Sequence, residues 1–443
     1  MKTSKKLIAG VLALSLLFAL IGCGGSNSGG SGGGAAPVED NRSARDKVYE
    51  LIEKDLTAFN GIPAKVLQDR SGVIKGLPVE KKDKLTIGYT TGSLGSPFFV
   101  TMHKAIEEAC AAEGYTLITQ VNNFNTEQGL ADMQAFIVQG VDIIFANTDV
   151  QAASAVFREA SEAGIPVIAT SNQPVNYDSN VITDILSGSY KSGFYVGEYT
   201  AKQMHKKGES IKVGFSVIQI GSGDTESRGN GFVGGYLYAA REIDGNPYPS
   251  KWEAIYDGYN IWREFADKRS KSVPEQGLEL LSYGQTANSN PDAPGGREAT
   301  EDLIAVLPNL DLLVVECDPM WPGAEQVLRE NNRTPGVDIQ IACPADGTRV
   351  GMEALMRGEI IAIGNNSSRM NAIGMMTIAK NIFVDGKDMN NIVANTYTPT
   401  LAITKENVAE FYNPDDDLAM GMAYELQTVD DYNASVSPTA DPF

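Results

Sequence analysis

Two adjacent aromatic residues at a predicted helix start could bind the flat face of a small ring. Phe98 and Phe99 follow Ser96-Pro97, and a serine N-cap with proline at the first helical position predicts that a helix begins here. A helix start presents unpaired N–H groups, and aromatic side chains offer flat surfaces for a sugar ring or a heterocycle. Packing of both phenylalanines in a hydrophobic core is the alternative interpretation.

An arginine in a glycine-rich stretch could recognise oxygen atoms. Arg228 lies within residues 221–232, predicted as a loop after a strand, and its guanidinium could donate to two ligand oxygens. A surface ion pair is the alternative role. Gly229, Gly231 and Gly234 have the spacing of a dinucleotide-binding motif. That motif must begin directly at a strand end, and these glycines begin too far beyond it, so we predict no nucleotide site.

Histidine, cysteine and metal catalysis have little support in this sequence. The chain has two histidines, His103 and His205, and neither has a second histidine or a cysteine at zinc-ligand spacing. No Ser-His-Asp or Cys-His set suggests itself. We therefore expect neither an enzyme nor a cofactor, although the abundance of Asp and Glu leaves a hydrolase with paired carboxylates open.

The charge balance is strongly acidic. The 443 residues include 56 Asp and Glu against 36 Lys and Arg, which gives a formal net charge of −20. Binding to phosphate backbones needs clustered basic residues, so we expect no nucleic acid as a partner. The length is sufficient for two domains and a tail.

The amino terminus is typical of an export signal. Residues 1–6 include three lysines, and Leu7 to Ile21 is an almost unbroken apolar run, short for a membrane span and suited to a signal peptide. The run leads to Gly22-Cys23 in a sequence that resembles the lipobox of bacterial lipoproteins. In that family the chain is cut before the cysteine, whose acylation anchors it stably. An uncleaved transmembrane anchor is the alternative.

The remaining cysteines are Cys110, Cys317 and Cys343. An odd number does not imply a disulfide framework, even in an oxidising compartment. One bridge between Cys317 and Cys343 stays open, and buried free thiols are the expected state.

From Lys84 onwards, strand-like and helix-like segments alternate. One predicted helix covers Thr126 to Gln139 and ends at Gly140, and successive strands begin roughly 25–30 residues apart, as in a parallel, doubly wound sheet. A second series begins at Ile211, and residues 247–296 are expected to include a surface insertion. Ligands bind at the carboxyl ends of such strands, so we expect a site where the two sheets face each other.

Four motifs in order resemble those of the periplasmic sugar-binding proteins of ABC importers, the group with ribose- and galactose-binding proteins. The resemblance extends from about Lys84 to Phe411, and its motifs are Ser96 to Phe99, Ser227 to Phe232, Asp318 to Ala324 and Ala345 to Thr348. It implies an α/β fold of two doubly wound, parallel-sheet lobes joined by a three-crossing hinge, the type I periplasmic-binding-protein fold. Such lobes close around the solute.

This fold implies a division of the chain. We expect a signal peptide at residues 1–22, a glycine- and serine-rich tether at 23–37, and a prefatory helix and loop at 38–83. The first lobe is expected to comprise residues 84–187 and 365–391, and the second lobe residues 188–364 and 392–425, with a tail at 426–443. The glycine-rich tether would be flexible. The three crossings are expected near Ser187, Gly364 and Ile392.

The resemblance also implies roles for individual residues. The aromatic pair corresponds to residues that stack on a sugar ring, and Arg228 to an arginine that binds hydroxyl groups. Asp346 corresponds to a carboxylate that accepts two hydroxyl hydrogen bonds, with a turn residue as the alternative. The complete expected ligand set is Ser96, Phe98, Phe99, Asn172, Arg228, Asp318, Trp321, Asp346, Asn365 and Asn366.

The chain departs from the family pattern at several positions. Ser96 replaces the usual Asn, Ser171-Asn172 stands where many members carry Asp, Cys317 replaces an Asn, and Trp321-Pro322 replaces a small pair. These changes alter the hydrogen bonding expected for a simple pyranose or ribose. Trp321 adds stacking surface or fills the lobe, and sugars, polyols, nucleosides and related solutes all stay open as ligands.

The function implied by the resemblance is solute capture outside the cytoplasm. We expect a monomeric, lipid-anchored binding protein that delivers a sugar or polyol to an ABC permease in the membrane. A sensory protein that docks on a chemoreceptor or kinase is the alternative class. A transcription factor built from the same lobes is excluded by the export signal and by the lack of a basic helix-turn-helix.

Overall fold

The computed structural model describes residues 40–63, 79–95, 97–148, 153–171, 181–287, 291–422, 424, 427–435, 437 and 439–443. The predicted signal peptide, the predicted acylation site Cys23 and the predicted tether lie outside these residues. The chain divides into two compact units, Met1–Arg42 and Ser43–Phe443, and the second contains both lobes. Within the described ranges, no helix is long and apolar enough to cross a membrane.

The described strands and helices alternate as the sequence predicts. The strands are β1 Thr86–Thr91, β2 Thr116–Val121, β3 Ile143–Ala146, β4 Val167–Thr170, β5 Thr183–Ser187, β6 Ile211–Val217, β7 Lys271–Val273, β8 Leu278–Gln285, β9 Leu312–Val315, β10 Gln340–Cys343, β11 Ala362–Gly364, β12 Asn395–Thr398 and β13 Ala402–Thr404. The helices are α1 Ala44–Lys54, α2 Pro97–Glu113, α3 Thr126–Gln139, α4 Ala153–Glu162, α5 Ser189–Met204, α6 Gly223–Ile243, α7 Lys251–Lys268, α8 Ala293–Val306, α9 Trp321–Glu330, α10 Arg349–Met356, α11 Ser368–Phe383, α12 Val408–Phe411 and α13 Val429–Ser435.

Local capping explains where individual helices begin and end. The Asn125 side chain accepts a hydrogen bond from the Gln128 N–H at the start of α3, and Gly140 ends that helix at φ 66°, a left-handed conformation that favours glycine. The predicted limits of α3 are therefore confirmed. Ser250 and Glu253 form a reciprocal capping box at the start of α7, which satisfies two backbone N–H groups.

The first lobe is built on a parallel six-stranded sheet with the order β2-β1-β3-β4-β5-β12. Every residue of β3, β4, β5 and β12 is buried, as expected when helices cover both faces of a parallel sheet. Two clusters of buried apolar side chains form the core of this lobe. The predicted doubly wound architecture is confirmed for the first lobe.

The second lobe contains a seven-stranded sheet with the order β13-β11-β10-β9-β6-β8-β7. The edge strands β13 and β7 run antiparallel to their neighbours, and the five strands between them are parallel. Antiparallel edge strands are common on parallel sheets of this kind. The structure thus confirms the predicted fold class of two α/β lobes.

The chain passes between the two sheets at residues 187–189, 364–368 and 398–402. The third crossing differs from the predicted position at Ile392, because β12 pairs with β5 in the first sheet, with Asn395 opposite Asp184. The chain changes lobes only after β12, since β13 pairs with β11 in the second sheet. Sheet membership depends on the pairing partner of a strand, which the local sequence around residue 392 does not reveal.

The described residues of the segment 247–296 include integral parts of the second lobe. Helix α7 buries Trp252, Trp262 and Phe265, and strands β7 and β8 extend the sheet beyond β6. The expectation of a surface insertion is therefore wrong for most of this segment. Its aromatic residues are core residues of the lobe.

Helices α5 and α6 cross with their backbones in direct contact. A Cβ atom at Gly197 would overlap the carbonyl oxygen of Phe232, and one at Gly235 would overlap the carbonyl oxygen of Phe194. Gly231 meets the main chain of α5 in the same way. Of the glycines with the spacing of a nucleotide motif, Gly231 therefore serves the close packing of α5 on α6, and Gly229 approaches the Trp262 ring of α7.

The amino-terminal segment packs on the second lobe. Tyr49 of α1 lies 5.5 Å from Trp252 of α7, measured between ring centroids. The carboxyl-terminal residues contact the same region, where the indole N–H of Trp252 donates to the carbonyl of Ala440 at 3.1 Å. Residues near both ends of the described body therefore pack against helix α7.

The three described cysteines are free and buried. No bridge joins Cys317 to Cys343, which agrees with the expectation of free thiols. Burial raises the pKa of Cys110 to about 11 and raises the pKa values of Cys317 and Cys343 well above the usual range. All three thiols therefore stay protonated and unreactive at neutral pH.

The helix crossing makes a testable prediction for Gly235→Ala. We expect this variant to lose about 1–3 kcal/mol of stability, because the added methyl group overlaps a backbone carbonyl that cannot move freely. Helix propensity alone favours alanine by roughly 0.5–1 kcal/mol, so the two arguments predict opposite signs. Urea unfolding decides between them. Gly95→Ala is the control, since its Cβ would meet only the Ser93 hydroxyl at 3.5 Å; a Gly235→Ala variant as stable as this control contradicts the packing argument.

Candidate ligand-binding site

A cleft between the two lobes encloses about 650 Å³ of empty space, part of it open to solvent. Residues of both lobes, of the hinge and of the amino-terminal segment line the cleft: Asn60, Phe98, Phe99, Ser171, Ser187, Ser189, Ile218, Asp224, Arg228, Pro291, Pro319, Asp346 and Asn366.

Many of these residues lie at the carboxyl ends of parallel strands. Ser171 follows β4, Ser187 ends β5, Ile218 follows β6, and Asp346 and Asn366 come shortly after β10 and β11. Loops at this edge of a parallel sheet are the usual ligand site of α/β folds. The cleft therefore lies where the sequence predicts a site.

Arg228 is the central cation of the cleft. Its Nη2 donates to Asp346 Oδ1 at 3.2 Å and its Nη1 donates to Glu316 Oε1 at 3.4 Å, while Asp224 Oδ1 lies 3.9 Å away. Only 6% of the side chain is exposed. Arg228 lies on α6 and not on the predicted loop, because Ser222 caps the helix at its first residues.

Acidic groups outnumber the single basic group in the cluster around Arg228. Burial opposes the arginine charge, but Asp224, Asp346 and Glu316 outweigh this effect and raise its pKa. Burial also raises the pKa of Glu316 to about 7 and raises the pKa of Asp346, against the lowering effect of Arg228. Three carboxyl groups thus share one guanidinium, an arrangement that disfavours a negatively charged ligand.

Asp318 supports the loop that carries Asp346. Its Oδ1 accepts a hydrogen bond from the Asp346 N–H at 2.7 Å, and its Oδ2 accepts from the Thr348 N–H at 2.6 Å and the Thr348 hydroxyl at 2.8 Å. Burial and the neighbouring Asp346 raise the pKa of Asp318 to about 7. Asp318 is fully buried and does not line the cleft, so it positions Asp346 rather than facing the ligand as the sequence suggested.

Glu316 has a similar supporting role that the sequence analysis missed. Its Oε2 accepts hydrogen bonds from the Ile218 N–H at 2.7 Å and from the Thr225 hydroxyl at 2.6 Å. These bonds tie the end of β9 to the loop after β6 and to the start of α6. Its position directly after a buried strand is the sequence signal that could have revealed it.

The two predicted aromatic residues both line the cleft from the first lobe. Phe98 and Phe99 occupy the first turn of α2 and meet edge to face, with 5.3 Å between ring centroids. Both side chains are half-buried and also pack against the core of the first lobe. The structure therefore combines the two alternatives, since each ring has a core side and a side toward the cleft.

Other predicted ligand residues lie elsewhere. The Trp321 side chain is fully buried in the core of the second lobe. Of its two alternative roles, it therefore fills the lobe, and as a ligand-binding residue it is a wrong prediction. Asn365 is also buried, and its Oδ1 accepts from the Ser367 N–H at 3.3 Å, so it shapes the hinge. Ser96 and Asn172 lie outside the described residues.

Three residues that line the cleft carry a buried polar atom without a partner. Arg228 Nε, Asn366 Oδ1 and Asn60 Oδ1 are buried and have no hydrogen-bond partner within the described part of the chain. More than nine in ten buried polar groups in proteins are hydrogen-bonded. The three atoms at the cleft are thus free to pair with a polar molecule bound there. Sequence reasoning missed Asn60, Ser171, Ser187, Ser189, Ile218, Asp224, Pro291 and Pro319 as lining residues.

The family assignment agrees with this geometry. A family model described as the periplasmic binding protein domain matches residues 87–388, more than half of the chain. The protein therefore belongs to the periplasmic binding protein family.

Individual relatives support the same assignment. The ribose import binding protein RbsB of Escherichia coli (strain K12) is 31% identical over 150 residues, which cover 34% of this chain and 49% of that relative. The chain thus spans about half the length of this curated relative. A Mycobacterium smegmatis structure in complex with β-D-fucofuranose superposes with a TM-score of 0.56 at 22% identity, covering 74% of this chain and 93% of the other. The myo-inositol binding protein of Caulobacter gives a TM-score of 0.55 at 17% identity over 76% and 98% of the two chains. At these identities the structures show a shared fold.

The buried charge cluster makes a prediction for Arg228→Met. Removal of one partner from a buried ion pair costs roughly 3–5 kcal/mol, and we expect a loss of this size at pH 8. Without the guanidinium, the pKa values of Asp346 and Glu316 in the folded state rise further above their unfolded values. A carboxyl group with a raised pKa in the folded state contributes stability at low pH and loses that contribution as pH rises. The stability that Arg228→Met loses relative to the wild type is therefore smaller at pH 5.5 than at pH 8.

Urea unfolding of the wild type and the variant at both pH values measures this difference. Arg297→Met is the matched control, because Arg297 forms a partly exposed ion pair with Glu330 at 2.9 Å and such pairs contribute little. An Arg228→Met loss that is equal at pH 5.5 and pH 8 contradicts the assignment of the buried carboxylates as the cause.

Proposed function

We propose that the protein captures a neutral sugar or polyol in the interlobe cleft and delivers it to an ABC permease. The observation that carries this proposal is the contact between Arg228 and Asp346, 3.2 Å apart in the cleft. A guanidinium donates to hydroxyl oxygens and a carboxylate accepts hydroxyl hydrogens. Together they match a molecule that carries several neighbouring hydroxyl groups.

The lining supports a sugar or polyol over other small molecules. Phe98 and Phe99 offer apolar surface for the carbon face of a ring, which polar residues on the opposite lobe complement. The relatives support the same class: one is named for ribose import, and the structural neighbours contain β-D-fucofuranose and myo-inositol.

The charge of the cleft favours a neutral ligand. Its described lining contains two acidic residues, Asp224 and Asp346, and one basic residue, Arg228, which both carboxylates approach within 4 Å. A phosphate or carboxylate on the ligand would meet uncompensated negative charge. We infer that phosphorylated sugars and sugar acids are rejected.

Closure of the two lobes is the proposed binding movement. The three crossings at 187–189, 364–368 and 398–402 are short, as expected for a hinge between two rigid bodies. Arg228 Nε and Asn366 Oδ1 gain partners when a solute bridges the lobes, and the binding energy then favours the closed form.

Binding without chemical turnover fits the placement of the histidines. His103 contacts the Thr119 hydroxyl at 3.0 Å and His205 contacts Asp244 at 3.1 Å, and neither is part of the described cleft lining. The carboxylates of the cleft are engaged by Arg228. We infer a receptor rather than a hydrolase.

A ligand screen tests the proposed function. We expect one or more of D-ribose, D-galactose, D-allose, glycerol and myo-inositol to raise the melting temperature of the purified full-length protein. A ligand present at about 1,000 times its Kd contributes roughly 4 kcal/mol of stability. Asp346→Ala should abolish the shift, whereas Asp267→Ala, at an exposed position of α7, should preserve it. The anionic probes galacturonate and glucose 6-phosphate should give no shift. Tighter binding of an anionic probe, or full binding by Asp346→Ala, contradicts the proposal.

We further propose that the protein is a lipoprotein held outside the cytoplasm by acylated Cys23. The support is the lipobox-like sequence after an apolar run of signal-peptide length. Metabolic labelling with radioactive palmitate in a bacterial host is expected to label the wild type and not Cys23→Ser. Equal labelling of both proteins, or no labelling of either, contradicts the lipid anchor.

A further inference from the structure

One residue of the cleft comes from outside the matched family domain. Asn60 lines the cleft, although the family match covers residues 87–388. We propose that Asn60 binds the solute directly, so that the segment Leu56–Ile62 forms a third wall of the cleft beside the two lobes. This inference rests on the proposed function of the same site and adds a specificity-determining residue to it.

Backbone hydrogen bonds hold the wall segment at the hinge. The carbonyl of Asn60 accepts a hydrogen bond from the Tyr190 N–H at 2.8 Å, and Tyr190 lies in the first turn of α5, directly after the first crossing. The carbonyl of Ala58 accepts from the Asn230 side-chain amide at 3.1 Å. Asn230 belongs to α6 and is fully buried. The segment is therefore joined to both helices that begin at the cleft.

Side-chain packing fixes the same segment. The Phe59 ring stacks between Tyr190 and Tyr259, with centroid distances of 5.9 Å and 5.0 Å. Ala58, Phe59 and Ile62 are as buried as the core of the second lobe and belong to the same apolar cluster. A segment with this burial moves with the second lobe as one body, so Asn60 keeps its place when the lobes change their separation.

The chemistry around Asn60 suits a hydroxyl-bearing solute. Ser189, another lining residue, donates its hydroxyl to Asp224 Oδ1 at 2.9 Å, and Thr57 packs against Gly223, the first residue of α6. The wall segment thus lies against the helix turn that carries Asp224. An asparagine amide both donates and accepts hydrogen bonds, as a hydroxyl group does, and it adds no charge to the cleft.

A purely structural role does not explain the asparagine. Its backbone conformation, φ −56° and ψ 111°, is open to nearly all residue types, so the turn itself does not require this side chain. The residue is 7% exposed, and its Oδ1 has no hydrogen-bond partner in the described ranges. A buried amide oxygen without a partner is unfavourable unless a bound molecule supplies one.

The test compares the affinity of three variants for the probe sugars and polyols of the screen, measured by calorimetry on the full-length protein. We expect Asn60→Ala to raise Kd about tenfold, the loss of one to two hydrogen bonds, while its melting temperature without ligand stays close to that of the wild type. Asn260→Ala is the matched control, because Asn260 is exposed on α7 and bonds only to the Tyr256 carbonyl. Asp346→Ala should abolish binding.

The outcomes separate this inference from the proposed function. If Asp346→Ala abolishes binding while Asn60→Ala and Asn260→Ala keep the wild-type Kd, the wall inference is wrong and the proposed function stands. If no probe binds the wild type, both are overturned. Asn60→Ser covers the case in which Asn60→Ala does not fold: it retains a donor and an acceptor on a shorter side chain, and we expect a two- to fivefold rise in Kd. An unchanged Kd for Asn60→Ser in that case also overturns the inference.

Discussion

The buried charge of Arg228 is the interaction on which the geometry of the cleft depends. Its guanidinium contacts carboxylates from three places in the second lobe: Asp224 on the same helix, Glu316 after β9 and Asp346 after β10. An unpaired charge at this depth would cost several kcal/mol. One side chain consequently links three features of the second lobe: the order of its strands, the starting point of α6 and the shape of the Asp346 loop.

The geometry of the cleft also depends on buried residues that do not line it. Asp318 holds the backbone on both sides of Gly347, and Glu316 joins the loop after β6 to the first turn of α6. Neither is exposed to the cleft, yet the position of Asp346 and Arg228 follows from their hydrogen bonds. A polar network of this kind is stable only when its buried members are satisfied.

The parts of the structure that follow from local signals could be predicted from the sequence. The ends of α3 follow from Asn125 and Gly140, and the alternation of strand and helix gave both sheets. The motif order brought Arg228 and Asp346 into one site, and the structure places them in contact. Both residues lie near strand ends, where position along the chain already determines position in space.

The parts that depend on distant pairing could not be predicted in the same way. A strand such as β12 has the same local pattern whichever sheet it joins, and only its bonds to β5 decide the third crossing. The sequence shows that Trp321 is large and apolar, but whether its side chain faces the cleft or the core depends on how α9 packs. Asn60 reaches the cleft through contacts with α5 and α6, residues more than a hundred positions away.

The crossing of α5 and α6 has a consequence for how this protein can diversify. The two helices touch through main-chain atoms at Gly197, Gly231 and Gly235, so their close approach requires glycine at these positions. The same helix α6 carries Asp224 and Arg228 at its cleft end. Asp224 can therefore change without altering the backbone contact between the helices, whereas Arg228 is fixed by its buried carboxylate partners. Substitutions at the glycine positions, by contrast, cost stability, because each added methyl group overlaps a backbone carbonyl of the facing helix.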